Sequence, residues 1–140
     1  MSKVAIVYWS GTGNTAAMAN LVAEGATGVG AAVDVFTSSE FNVDKVAEYD
    51  AIGFGCPSMG SEQLEEFDFE PMYEGVKPAL SGKKVALFGS FGWGDGEWMR
   101  NWEADCAAAG AKVLTTLTVN GAPDGSEDEC KQVGEDLAYG

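Results

Sequence analysis

The chain has no histidine among its 140 residues. That removes the commonest general acid–base catalyst and the usual histidine-based triads. Cysteine is scarce as well: Cys56, Cys106 and Cys130 are odd in number, widely spaced and form no CxxC pair. With no histidine beside them they offer no zinc or iron–sulfur ligand set, and they fit buried reduced thiols better than a disulfide framework. Cations are few, 8 Lys plus Arg against 22 Asp plus Glu, for a net charge of -14. Such a field repels nucleic acid and anionic membranes and steers the chain toward partners with basic patches, in a salt-dependent way. No apolar run has the length of a membrane span and no signal-peptide layout precedes the first strand pattern, so the cytoplasm is the expected compartment. Repeats, low-complexity tracts and long linkers are also missing, which predicts one domain over residues 1–140. With 46% apolar residues that domain can build an ordinary core, and its acids belong to the surface.

Five apolar runs bounded by glycine or polar turns, at 4–9, 32–36, 51–56, 85–89 and 113–119, predict strands. Helix-length stretches at 14–24, 64–76, 97–109 and 127–138 alternate with them, and 42–48 predicts a short helical turn. Several runs are continuously hydrophobic, as strands covered on both faces must be. The alternation implies an α/β fold with a parallel, doubly wound sheet. Ligands of such sheets bind beyond the carboxyl ends of the strands, where the winding reverses.

Three loops at those ends carry unusual chemistry. Ser10, Gly11, Thr12, Gly13, Asn14 and Thr15 follow the first strand and open a helix. Their glycines allow a tight turn and close approach, and their side chains add donors to the free N–H groups of a helix N-terminus, which suits a phosphate. The loop has no Lys or Arg, so binding would rest on neutral dipoles; the plainer reading is a Gly-Ser-Thr turn capping a helix. Ser58, Met59, Gly60, Ser61 and Glu62 follow the third strand. They combine a thioether able to pack on a ring, a flexible glycine and a carboxylate able to accept a ring N–H, although a simple turn with an exposed Glu also fits. Ser90, Phe91, Gly92, Trp93, Gly94, Asp95 and Gly96 follow the fourth strand and set an indole among glycines. Trp93 is either a stacking platform for a flat ring or a surface residue lying on its own helix. Trp98 and Trp102, four apart, are expected to pack on the sheet, and Trp9 to buttress the first loop. A phosphate cradle, a thioether and a bare indole together suit a flat aromatic phosphate monoester such as FMN.

At this point the chain resembles the short-chain flavodoxins of anaerobic bacteria. The resemblance rests on residues 6–15, on the turn from Gly55-Cys56 to Met59-Gly60-Ser61-Glu62, and on 82–90 continuing through Gly92-Trp93-Gly94-Asp95-Gly96. It implies the three-layer flavodoxin-like fold, with a five-stranded parallel sheet in the order 2-1-3-4-5; that order comes with the family and not from the periodicity. It implies FMN as cofactor, with residues 10–15 at the phosphate, Met59 and Trp93 flanking the ring, Glu62 on its N3–H and the Gly92 N–H nearby. The Gly60-Ser61 peptide would flip when the flavin gains one electron and favour a neutral semiquinone. Two positions depart from the pattern: Pro57 replaces a phosphate-binding Ser of some relatives, and Phe91 a Tyr. The implied function is low-potential electron transfer between semiquinone and hydroquinone, in place of or beside ferredoxin. It is the work of a monomeric carrier that docks on redox enzymes through their basic patches, not of an enzyme, with no catalytic residue and no metal. Two alternatives stand beside it. One is a flavodoxin-like NAD(P)H-quinone oxidoreductase. The other is a dinucleotide-binding module, since Gly11-x-Gly13-x-x-Ala16 matches the weak GxGxxG/A pattern.

Overall fold

In the computed structural model, residues 2–11, 13–59, 63–92, 94 and 96–139 are described. The strands are β1 (Lys3–Tyr8), β2 (Ala32–Thr37), β3 (Ala51–Gly55), β4 (Lys84–Phe91) and β5 (Lys112–Asn120). The helices are α1 (Asn14–Gly28), α2 (Val43–Val46), α3 (Phe69–Val76), α4 (Glu97–Ala108) and α5 (Glu127–Tyr139). All pairings are parallel and the strand order is β2-β1-β3-β4-β5, as the resemblance implied. Ile6 of β1 stands opposite Val35 on one side and Gly53 on the other, so β1 is where the winding reverses.

Burial explains the sequence pattern strand by strand. Val4 to Val7, all of β3 and Val85 to Phe88 are buried, which is why β1, β3 and β4 read as continuous apolar runs. β2 and β5 are edge strands and alternate with exposed positions. Two cores fill the sheet's two faces. One holds Phe54, Phe69, Tyr73, Trp98 and Trp102 against α3 and α4. The other is built from Met18, Ala19, Val22, Ala26, Val133 and Leu137 of α1 and α5. There α1 and α5 touch through their backbones: a Cβ on Gly25 would collide with the Lys131 backbone, and one on Gly134 with that of Val22.

Some boundaries differ from the expectation for local reasons. α1 runs four residues further, to Gly28, because Gly25 packs against α5 rather than ending the helix. α3 begins at Phe69, not at 64. The buried Glu65 side chain accepts the N–H groups of Phe67 (2.9 Å), Asp68 (2.7 Å) and Phe69 (2.8 Å), so a carboxylate-capped turn occupies the preceding residues. β4 and β5 extend to Phe91 and Asn120, carrying the sheet into the loop region.

Candidate functional site

The first loop is held by its own residues and by the sheet. Gly13 caps α1 with φ 97°, a left-handed conformation that favours glycine, and its N–H donates to Ser10 Oγ at 3.0 Å. Ser10 thereby accepts one bond and keeps its own proton free to donate. Asn14 and Thr15 open α1, whose first turn carries no acidic residue. The Trp9 ring lies under Gly11, where a Cβ would come within 3.0 Å of it, so the expected buttress is present.

Backbone bonds tie the three loops together past the strand ends. Trp9 N–H donates to Gly55 O (3.0 Å), Cys56 N–H to Phe88 O (3.0 Å), Ser58 N–H to Ser90 O (3.0 Å) and Gly121 N–H to Phe91 O (3.0 Å). In the second loop, Met59 and Gln63 exchange N–H bonds of 2.8 and 2.9 Å in an antiparallel bridge. That bridge staples the segment on both sides of residues 60–62. Glu65 anchors the chain beyond the bridge: its N–H donates to Cys56 Sγ at 3.4 Å, while its carboxylate holds the turn before α3. Burial pushes the Glu65 pKa up, but the N–H groups of Phe69, Asp68 and Phe67 outweigh it and hold the carboxyl below its usual value.

The third loop leaves β4 and enters α4 through Gly96, at φ 91°. Trp98 and Trp102 are buried as expected, 1% and 2% exposed. Trp98 Nε1 donates to Cys56 O at 3.2 Å, which clamps the root of the second loop to α4. All three cysteines are free and buried, and burial pushes the Cys130 thiol up to about 11. These are inert core residues, not nucleophiles.

A cavity of about 260 Å³ joins the three loops. Of the expected residues it is lined by Ser10, Gly11, Asn14, Thr15, Ser58, Met59, Ser90, Phe91 and Gly92. Gly13 lines an adjoining cavity with Tyr8, Trp9 and Thr37; Gly94 and Gly96 line neither. Thr12, Gly60, Ser61, Glu62, Trp93 and Asp95 lie outside the described residues. Trp9, Pro57 and Gly121 also line the cavity. Gly121 escaped sequence reading because the loop after β5 reads as an ordinary turn, without the run of hydroxyl donors or the indole that marks the others. A local signal exists in the Asn120-Gly121 step itself. The structure also adds a cation near the third loop: Arg100 Nη1 lies 3.7 Å from where a Cβ on Gly96 would stand. Position i+4 on α4 was the available clue.

The lining combines hydroxyl, amide and backbone donors with the apolar side chains of Trp9, Pro57, Met59 and Phe91, and has no carboxylate or ammonium among them. A neutral donor set accepts an anion, and apolar walls accept a flat ring. A separate cavity of about 340 Å³ is lined by Glu70, Glu74 and Asp105, and would repel a phosphate. After β2, the Glu40 carboxylate is folded back onto the Thr37 N–H (2.8 Å) and hydroxyl (3.0 Å). It is therefore not held out toward a ribose, as a dinucleotide would require.

Comparison with known proteins agrees with this geometry. Residues 6–132 match the family model for flavodoxin. The chain is 50% identical over 135 residues to the flavodoxin of Megasphaera elsdenii, covering 96% of this chain and 98% of that one. It is 47% identical over 134 residues to that of Clostridium beijerinckii, covering 95% and 97%. The solution structure of the two-electron reduced Megasphaera elsdenii flavodoxin superposes with a TM-score of 0.93, covering 98% of this chain and 99% of that one. An archaeal flavodoxin at 28% identity superposes with a TM-score of 0.88, over 98% and 96%. The chain belongs to the flavodoxin family, and is a flavin-bearing electron carrier rather than an enzyme with its own substrate turnover.

Proposed function

We propose that the chain acts as a single domain that binds FMN and carries one electron at a time at low potential, as a cytoplasmic monomer serving redox enzymes with basic docking patches. The observation that carries this reading is the one cavity joining the cation-free cradle of the first loop to Met59 and Phe91. That donor set fits a phosphate monoester, and the apolar side chains fit an isoalloxazine. Bound FMN supplies the electron chemistry.

The chain's residues do the rest. Ser10, Gly11, Thr12, Gly13, Asn14 and Thr15 hold the phosphate by hydroxyl and N–H donors, each charge-assisted bond contributing roughly 1.5 to 3 kcal/mol. Ser58, Ser90, Phe91 and Gly92 wall the cavity, while Met59 and Trp93 cover the ring and exclude water from it. Gly94, Asp95 and Gly96 shape the indole loop, and Glu62 accepts the ring N–H. Gly60 and Ser61 supply the peptide that turns with redox state, between the ends stapled at Met59 and Gln63. The second electron adds negative charge to a chain already at -14, which favours a low second potential. The same acidic surface favours weak, salt-sensitive docking on basic partners. The reduced state in which the Megasphaera elsdenii relative was solved supports a carrier able to take two electrons.

Full-length relatives named flavodoxin disfavour the quinone oxidoreductase. The purified protein is expected to be yellow, to release FMN on denaturation and to rebind it. Protein that takes up no FMN, or that alone oxidises NADH or NADPH with quinone at steady state, would overturn the proposal.

A further inference from the structure

We infer that Ser90 is a positioning residue for phosphate recognition: its hydroxyl donates to Thr15, so that Thr15 turns its own proton toward the ligand. The inference rests on the FMN reading. Thr15 Oγ1 and Ser90 Oγ lie 3.1 Å apart although the residues are 75 positions apart in sequence, and they are 1% and 5% exposed. Among the described residues neither hydroxyl has another hydrogen-bond partner. Two hydroxyls hold two protons, and the bond between them uses one. The other is left for whatever occupies the cavity that both residues line.

Position decides which hydroxyl keeps the spare proton. Thr15 is in the first turn of α1, whose free N–H groups locate an anion beside it. Ser90 sits behind it on β4, where pairing with Val119 of β5 fixes its backbone. An anion beside Thr15 polarises the pair in one sense, Ser90 to Thr15 to phosphate, and each donor strengthens the next. Ser90 also accepts the Ser58 N–H through its carbonyl at 3.0 Å. Among the described residues it is therefore the one bonded to both the first and the second loop.

The test separates phosphate recognition from folding by using two flavins, FMN and riboflavin, which lacks the phosphate. Dissociation constants are measured by flavin fluorescence quenching on apoprotein. Ser90→Ala is expected to weaken FMN binding about tenfold, one hydrogen bond to a charged chain, and riboflavin binding by a clearly smaller factor. In the Thr15→Val background, Ser90→Ala is expected to cost nothing further. Phosphorus NMR of bound FMN should shift in both single variants. Equal losses for FMN and riboflavin would make Ser90 merely structural and overturn the inference, as would unchanged FMN affinity or additive losses in the double variant. Wild-type apoprotein that binds neither flavin would overturn the FMN reading itself, and this inference with it.

Discussion

On one face of the sheet, α1 and α5 come so close that Gly25 and Gly134 leave no room for a Cβ, whereas on the other face α3 and α4 stand off behind a cluster of rings. Phe54, Phe69, Tyr73 and Trp102 meet there at centroid separations from 5.4 to 6.5 Å, mostly edge to face. The first face locks backbone to backbone and sets α1, whose N-terminus is the phosphate cradle. The second packs side chains and delivers Trp98 to the root of the ring-side loop. It also tolerates imperfection: Trp102 Nε1 is buried without a hydrogen-bond partner among the described residues. Anchoring and tuning of the cofactor are thus supported by opposite faces, built by different means.

The sharpest way to break this contrast is a methyl group on the tight face. Gly134→Ala should cost about 3 kcal/mol or more, because the obstacle is the Val22 backbone and not a side chain that can turn aside. Thermal unfolding should then fall by on the order of 10 °C. Next is Glu65→Gln on the ring face, expected to cost about 2 kcal/mol by weakening three charge-assisted bonds to backbone N–H groups. Its pH dependence has a definite sign. The folded pKa lies below the unfolded one, so the stabilisation is complete above the ordinary carboxylate range and is lost as pH falls through the folded value. Urea midpoints of the two proteins should differ at neutral pH and converge in acid.

A third substitution separates tuning from anchoring. If the peptide at Gly60 needs positive φ after the first electron arrives, Gly60→Ala should disfavour that conformation by about 1 to 2 kcal/mol. The first midpoint potential would then fall by roughly 40 to 90 mV, with little change in the affinity for oxidised FMN. An unchanged potential would remove Gly60 from the switch. The smallest effect is expected from Gly75→Ala on α3, where nothing lies within 4 Å of the new methyl. Helix propensity alone should raise stability by about 0.5 to 1 kcal/mol, in contrast to the same substitution at Gly134, and a loss of stability on thermal unfolding would contradict the open space seen there.

Much of this was legible in the chain. Continuous apolar runs marked β1, β3 and β4 because burial on both faces leaves no polar alternation to confuse the period, and glycine with hydroxyl residues at their ends marked the cradle. The start of α3 was not legible, since residues 64–68 have helical composition and only the fold shows Glu65 turned inward as a cap. The first helix was expected to end at 24, before Gly25, because the reason for that glycine lies in a neighbouring helix more than a hundred residues away. Ser90 was expected at the cofactor and lines the cavity, but the bond of its hydroxyl to Thr15 was not legible, because a hydroxyl's partner across the sheet has no local signature.

Spectroelectrochemical titration of the FMN-loaded protein tests the account most directly. Two separate one-electron steps are predicted, the second well below that of free FMN, because the second electron adds negative charge to a chain already at -14 and the phosphate cradle holds no cation. A single two-electron wave at the potential of free FMN would contradict it.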